Sequence, residues 1–262
     1  MHTRLIIEND TLRIKNTLQH TTQHAPRCWR GVLNSVGLAC VLMQAACTPS
    51  GTDWFPLGQG RSWTYAVTTE WENNTVDHDI ATFSGHGSEQ LADGQRAFRR
   101  RSASGVEYWL RSDATGIYRV ASKTDLDEAP KPDAAPRYVL KFPLQVGTTW
   151  QASTTAYLLK RNQEFPPEIK HSHPNLPMRY AIEALGDRVA TRAGTFEGCV
   201  RVKGVATVHL FADPVVGWKD MPLSTLEWYC PGVGLVKLVR QEPANSTFLA
   251  GGTLTMELTE WN

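Results

Sequence analysis

Beyond residue 53 the chain alternates apolar and polar positions with a period of two. Trp63, Tyr65 and Val67 are separated by Ser62, Thr64 and Ala66. Tyr180, Ile182 and Ala184 alternate with Arg179, Ala181 and Glu183, and Val200 and Val202 with Arg201 and Lys203. Near the end, Leu254, Met256 and Leu258 alternate with Thr253, Thr255, Glu257 and Thr259. An extended strand sends successive side chains to opposite faces, so this spacing predicts one buried and one wet face, as in antiparallel sheet. No stretch in this region carries the spacing of an amphipathic helix. The expected class is mainly β, with antiparallel curved sheet arranged as a sandwich or a half-open barrel. Two stretches interrupt the alternation. Residues 122–137 carry Pro130, Pro132, Pro136 and several acids, and residues 162–177 carry Pro166, Pro167, Pro174 and Pro177. Both predict loops or linkers.

A repeat organises these segments. Phe55-Pro56-Leu57-x-x-Gly60-x-x-Trp63 recurs as Phe142-Pro143-Leu144-x-x-Gly147-x-x-Trp150, with an offset of 87 at every matched position. Proline stiffens the entry, glycine permits a turn, and tryptophan opens the next strand with a large apolar area. A looser echo pairs Glu107-Tyr108-Trp109 and Gly116-Ile117-Tyr118-Arg119-Val120 with Glu227-Trp228-Tyr229 and Gly234-Leu235-Val236-Lys237-Leu238. The expectation is two related β units, 53–136 and 137–262, the second enlarged by an inserted Pro-rich loop at 162–177.

The first 46 residues follow other rules. Residues 31–46 hold no charge and follow Arg27 and Arg30. Interrupted by Asn34, Gly37 and Gln44, they are too short for a spanning helix, which needs about twenty apolar positions. A basic flank, a short apolar stretch and small residues before a cut site match a secretory signal. Gln44-Ala45-Ala46-Cys47 resembles the lipobox of bacterial lipoproteins, in which the cysteine thiol takes the lipid. It departs from the usual pattern at Gln44, where Leu is common, and Cys40 is a second candidate. The reading is a signal peptide over 1–46, a lipidated tether over 47–53, and a partner that is the membrane itself, reached through the lipid on Cys47. Residue 48 is Thr, not Asp, so the lipoprotein resemblance implies no inner-membrane retention. It places the chain in the cell envelope at the outer membrane, facing the periplasm.

Charge and cysteine content refine this picture. Five of the 27 Lys and Arg and two of the 26 Asp and Glu precede Cys47, so the mature chain is close to neutral. That balance gives no reason to expect nucleic acid. The run Arg99-Arg100-Arg101 lies beside a strand-like segment and reads as a solvated sheet edge. With Cys47 lipidated, Cys199 and Cys230 are the two thiols left in an oxidising compartment, and a disulfide between them is the economical pairing. Two buried free cysteines are the alternative.

The opening Trp54-Phe55-Pro56-Leu57, with Gly60 and Trp63-Thr64-Tyr65, resembles a broad group of bacterial lipoproteins and secreted proteins of unknown function. So do Ala193-Gly194-Thr195-Phe196-Glu197-Gly198-Cys199-Val200-Arg201-Val202 and the segment from Glu227-Trp228-Tyr229-Cys230-Pro231-Gly232 to Val233-Gly234-Leu235-Val236-Lys237. The resemblance implies a curved, mostly β fold and carries no activity or catalytic residues with it. Cys230 departs from the group's usual pattern, so the bridge is a local inference. The residues add little chemistry. His171-Ser172-His173 has the spacing of a metal pair but lies in a proline-rich stretch with no evident third ligand. Asp77-His78-Asp79 would be split by strand alternation. There is no nucleophile elbow, zinc-protease motif or phosphate-cradling glycine loop. No catalytic, cofactor-binding or metal residue is therefore assigned. The expected role is a non-enzymatic binding or envelope-assembly module whose curved sheet holds an apolar ligand or an envelope partner. A hydrolase of envelope polymers and a purely structural component are the alternatives.

Overall fold

The computed structural model describes residues 54–161, 173–213, 215, 217–246 and 249–262. Cys47, residues 1–46 expected to be a signal peptide, and residues 162–172 with His171 lie outside them. The described residues contain no helix. Six strands come first: β1 (Ser62–Trp71), β2 (Val76–Gln90), β3 (Arg96–Ser102), β4 (Glu107–Asp113), β5 (Gly116–Lys123) and β6 (Lys131–Lys141). They are followed by β7 (Thr149–Ala156), the short β8 (Lys160–Arg161), β9 (His173–Thr191), β10 (Gly194–Asp213) and β11 (Gly217–Cys230). The chain ends with β12 (Gly234–Glu242), the short β13 (Leu249–Ala250) and β14 (Gly252–Trp261).

Twelve strands form one antiparallel sheet in the order β6-β5-β4-β3-β2-β1-β14-β12-β11-β10-β9-β7, and β8 pairs with β13 beside it. The order is two six-stranded meanders joined side by side. The joint is the ladder between β1 and β14, which runs from Trp63 opposite Trp261 to Trp71 opposite Gly252. The sheet curls until its outer strands β6 and β7 approach each other, giving a nearly closed barrel. These two strands follow one another in the chain, yet no ladder joins them. Of the two arrangements expected, the half-open barrel is the one adopted.

The inward face holds the core. Trp63, Tyr65, Ile117, Leu140, Met178, Ile182, Met221, Leu254 and Leu258 are buried there, and alternation leaves the other face mostly to polar side chains, apart from a small buried cluster of Ala97, Trp109 and Ala121 on β3–β5. The repeated motif builds the same device twice. Gly60 donates its N–H to the Gly85 carbonyl (3.0 Å), and the Gly85 N–H returns to the Arg61 carbonyl (2.8 Å). Gly147 donates to Ile182 (2.9 Å), and the Ile182 N–H returns to Thr148 (2.9 Å). Both glycines have positive φ, 78° and 90°, a conformation that favours glycine. Each copy thus clips the entry of one strand onto the next and delivers a tryptophan to the core.

Two local expectations change. Residues 131–137, expected in a loop, open β6 and pair with β5 through Pro132 opposite Ala121. Proline lacks an N–H, and an outer strand tolerates this because one of its sides makes no ladder. Likewise 173–177, at the end of the second Pro-rich stretch, belong to β9.

Cys199 and Cys230 are bonded, with Cα atoms 4.2 Å apart. They follow the register of Val200 opposite Tyr229, so they face each other across β10 and β11. Both are buried against Trp63, Val233 and Leu258. Reduction, or the Cys199→Ala, Cys230→Ala double variant, is expected to cost about 2–4 kcal/mol. Urea unfolding monitored by tryptophan fluorescence checks this. An unchanged midpoint would mean that the bridge does not constrain the unfolded chain.

Candidate functional site

The curl of the sheet leaves a cavity of about 230 Å3 inside the barrel. Its apolar lining includes Phe55, Phe83, Leu110, Leu235, Leu254 and Met256. Polar groups enter from several strands: Arg100, Arg119, Arg137, Arg240, Glu227 and a set of tyrosines. Residues 137–139 of β6 and Thr154 and Thr155 of β7 also line it, so the cavity runs along the unpaired seam.

Two of these arginines are matched by acids. Arg119 binds Asp133 through Nε and Nη2 at 2.8 and 2.7 Å. Arg240 donates Nε to Glu242 at 2.6 Å, with further bonds to Thr154 Oγ1 and the Thr155 carbonyl. Glu242, fully buried, also accepts the backbone N–H groups of Tyr157 and Leu158 at 3.0 and 2.8 Å. That pair therefore pins the chain after β7 to β12, and its charges are used up in doing so. On a third wall, Tyr229 donates its hydroxyl to Glu227 at 2.6 Å, both groups being buried.

Arg100 is different. It is buried, and no acid pairs with it among the described residues; its Nε has no hydrogen-bond partner. Its guanidinium carbon lies 4.0 Å from the Trp63 ring centroid, 4.5 Å from that of Phe55 and 5.4 Å from that of Phe83. Aromatic faces attract cations through their quadrupole, and desolvation strengthens this to about 2 kcal/mol or more. Phe55 and Trp63 are the two ends of the first F-P-L-x-x-G-x-x-W copy, so the turn motif itself builds the aromatic box. Burial pulls the guanidinium below its ordinary pKa, and the oxygens of Tyr65 and Tyr229 act the other way. Tyr65 is pushed up to about 12, chiefly by burial, with Arg100 opposing the rise. Burial, then the neighbouring Glu227, drives Tyr229 well above the usual range.

The arginine run was expected to be a solvated edge, and β3 is instead interior, between β2 and β4. Strand alternation divides the run. Arg99 and Arg101 face the outside and approach Glu107 at 3.8 and 3.9 Å, while Arg100 turns into the barrel. The signal was present, because any three consecutive strand residues place the middle one on the opposite face. Asp77-His78-Asp79 is split as expected: Asp77 accepts the Trp71 indole N–H (2.8 Å), and His78 lies against Thr68 on the other face. His209 and Asp220 meet at 2.7 Å on an exposed hairpin, largely in solvent. Glu227 is the one acid among the described cavity-lining residues. Among the described residues, no three His, Cys, Asp or Glu side chains gather as a metal site. Cys199 and Cys230 belong to the wall behind Trp63, away from the cavity lining.

No protein-family profile and no curated protein matches the chain. Two solved structures are similar to it. One is a candidate lipoprotein from Parabacteroides distasonis ATCC 8503, with 16% identity and a TM-score of 0.41, covering 80% of this chain and 98% of the other. The second is a candidate exported protein with YmcC-like fold from Bacteroides fragilis NCTC 9343, with 12% identity and a TM-score of 0.33, covering 82% and 97%.

The tyrosines give the site a pH signature. The unfolded chain releases tyrosine protons near pH 10, whereas folded Tyr65 holds its proton to about 12. Between those values the folded state binds more protons, so stability falls as pH rises. Urea midpoints measured from pH 9 to 12 are expected to decline, less steeply in Tyr65→Phe. Equal slopes in the two proteins would show that Tyr65 does not contribute.

Proposed function

We propose that this protein is a non-enzymatic binding module of the cell envelope that holds a small apolar ligand inside its barrel. The observation that carries this reading is the cavity itself, apolar over most of its wall, with a few converging polar groups and an unpaired seam beside it. Ligand sites are concave and mostly apolar with a few placed polar groups, typically about 300–1,000 Å3 for drug-sized molecules. At about 230 Å3 this cavity suits something smaller. Strand addition at the outer edge is less favoured, because β6 carries Pro132 and Pro136 there.

An eight-carbon chain offered as octanol or octanoate is expected to bind, as read by saturation-transfer NMR and by shifts of the Met256 methyl. Leu110→Trp, which fills the cavity, is expected to abolish both signals while circular dichroism shows the sheet intact. Failure of both probes to bind the unaltered protein would overturn the reading.

The address is part of the proposal: a lipid on Cys47, with the barrel tethered at the outer membrane and facing the periplasm. The Ala45-Ala46-Cys47 run and the short polar stretch Thr48-Pro49-Ser50-Gly51-Thr52 after it support it. Metabolic labelling with radioactive palmitate tests it. Label is expected on the chain and absent from Cys47→Ala; label that survives the substitution would refute Cys47 as the acceptor.

A further inference from the structure

A buried cation without an acid is costly, and this barrel keeps one facing its cavity. Charges taken out of water are normally neutralised by a partner, or the group gives up its charge. Arginine holds its proton at any ordinary pH, so Arg100 has only the first course open to it. Its neighbours supply part of the compensation. Three aromatic faces surround the guanidinium, and the Tyr65 oxygen lies close by. None of these supplies a negative charge, because burial keeps the Tyr65 hydroxyl protonated through physiological pH. The other cavity-lining arginines do not share this state: Arg119 and Arg240 are held by Asp133 and Glu242, and Arg137 is only half-buried at the seam. The acid on the wall, Glu227, is engaged by Tyr229. On the described cavity wall, Arg100 is thus a nine-tenths buried donor with an unpartnered Nε and no counter-charge.

We propose that the cavity takes an anionic amphiphile: a short apolar body lying along Leu110, Leu235, Leu254 and Met256, with an oxyanion, such as a carboxylate, received by Arg100. This deepens the binding reading above and rests on it. The planar guanidinium fork suits such a group, because it offers paired N–H donors to two oxygens of one acid. The aromatic box fixes the plane of the fork before any ligand arrives, so little ordering is left to the moment of binding. The seam beside Arg137 and Thr154 gives the head group a route that breaks no ladder. The second copy of the motif lacks this arrangement: Trp150 stacks on Tyr180, with centroids 5.5 Å apart, and not on a cation. The asymmetry between the copies places the anion anchor in the first meander alone.

The comparison of octanoate with octanol on the unaltered protein tests this by isothermal titration calorimetry at neutral pH. The two share a hydrocarbon body and differ in charge. A hydrogen bond to a charged group is worth about 1.5–3 kcal/mol, so octanoate is expected to bind at least about tenfold tighter. Arg100→Met, of similar length, is expected to bring the two affinities together while leaving octanol binding in place. It is also expected to leave the unliganded fold at least as stable, as when apolar groups replace buried charges. Equal affinities in the unaltered protein would overturn the anion anchor and leave the binding reading standing. So would a full octanoate preference retained in a folded Arg100→Met. Failure of both ligands to bind would overturn the binding reading itself, and this inference with it. If Arg100→Met does not fold, the unaltered protein still decides, because its comparison needs no variant. A folded Arg100→Met with a much lower urea midpoint and no change in ligand preference would make Arg100 a structural cation and sink the proposal.

Discussion

The ladder between β1 and β14 is the constraint on which the rest of the molecule depends. Each six-stranded meander could form from local hairpins, and neither alone would enclose a volume. Pairing the first strand with the last turns two ribbons into one sheet of twelve strands, and right-handed strand twist then curls it. The inward face gains its depth from this curl. Trp63 on β1 and Leu258 on β14 become buried together, and the wall they form supports the bridged cysteines behind and the aromatic box in front.

Within that frame, polar groups buried in the interior take two forms. Arg240 and Glu242 neutralise each other and use their remaining hydrogen bonds on the backbone after β7, so they behave as a fastening. Arg100 is surrounded by ring faces and hydroxyls and stays a cation in search of an anion. Buried charge pairs are weak evidence for stability, and removing one partner is far costlier than removing both. A lone cation kept at such a position reads more naturally as part of a site than as part of the frame.

Much of the architecture could be read from the chain. Period-two alternation gave the strands around Trp63, Tyr180, Val200 and Leu254, because half-buried sheet imposes that period. The repeat of Phe55 to Trp63 at Phe142 to Trp150 marked the start of each meander, since both copies need the same glycine turn and the same buried tryptophan. Proline misleads at 131–137, where a missing donor is equally a loop signal and an outer strand accommodates it. The site was harder to see. Arg100 sits in a run of three like charges, and composition alone cannot distinguish an exposed run from one divided between two faces. Its box comes from residues 55, 63 and 83, and its cavity from both meanders. Such a meeting is a property of curvature, which no local pattern encodes.

The seam between β6 and β7 has a consequence for solution behaviour. An outer strand with free donors and acceptors is a template on which a second chain can add its own strand and begin to aggregate. Pro132 and Pro136 remove donors from β6, and its first residues are largely exposed and include Lys131 and Asp133. The features that spare the barrel from zipping shut also make β6 a poor template for a neighbour. One strand thus leaves the seam beside the cavity unladdered and offers a neighbouring chain few free donors.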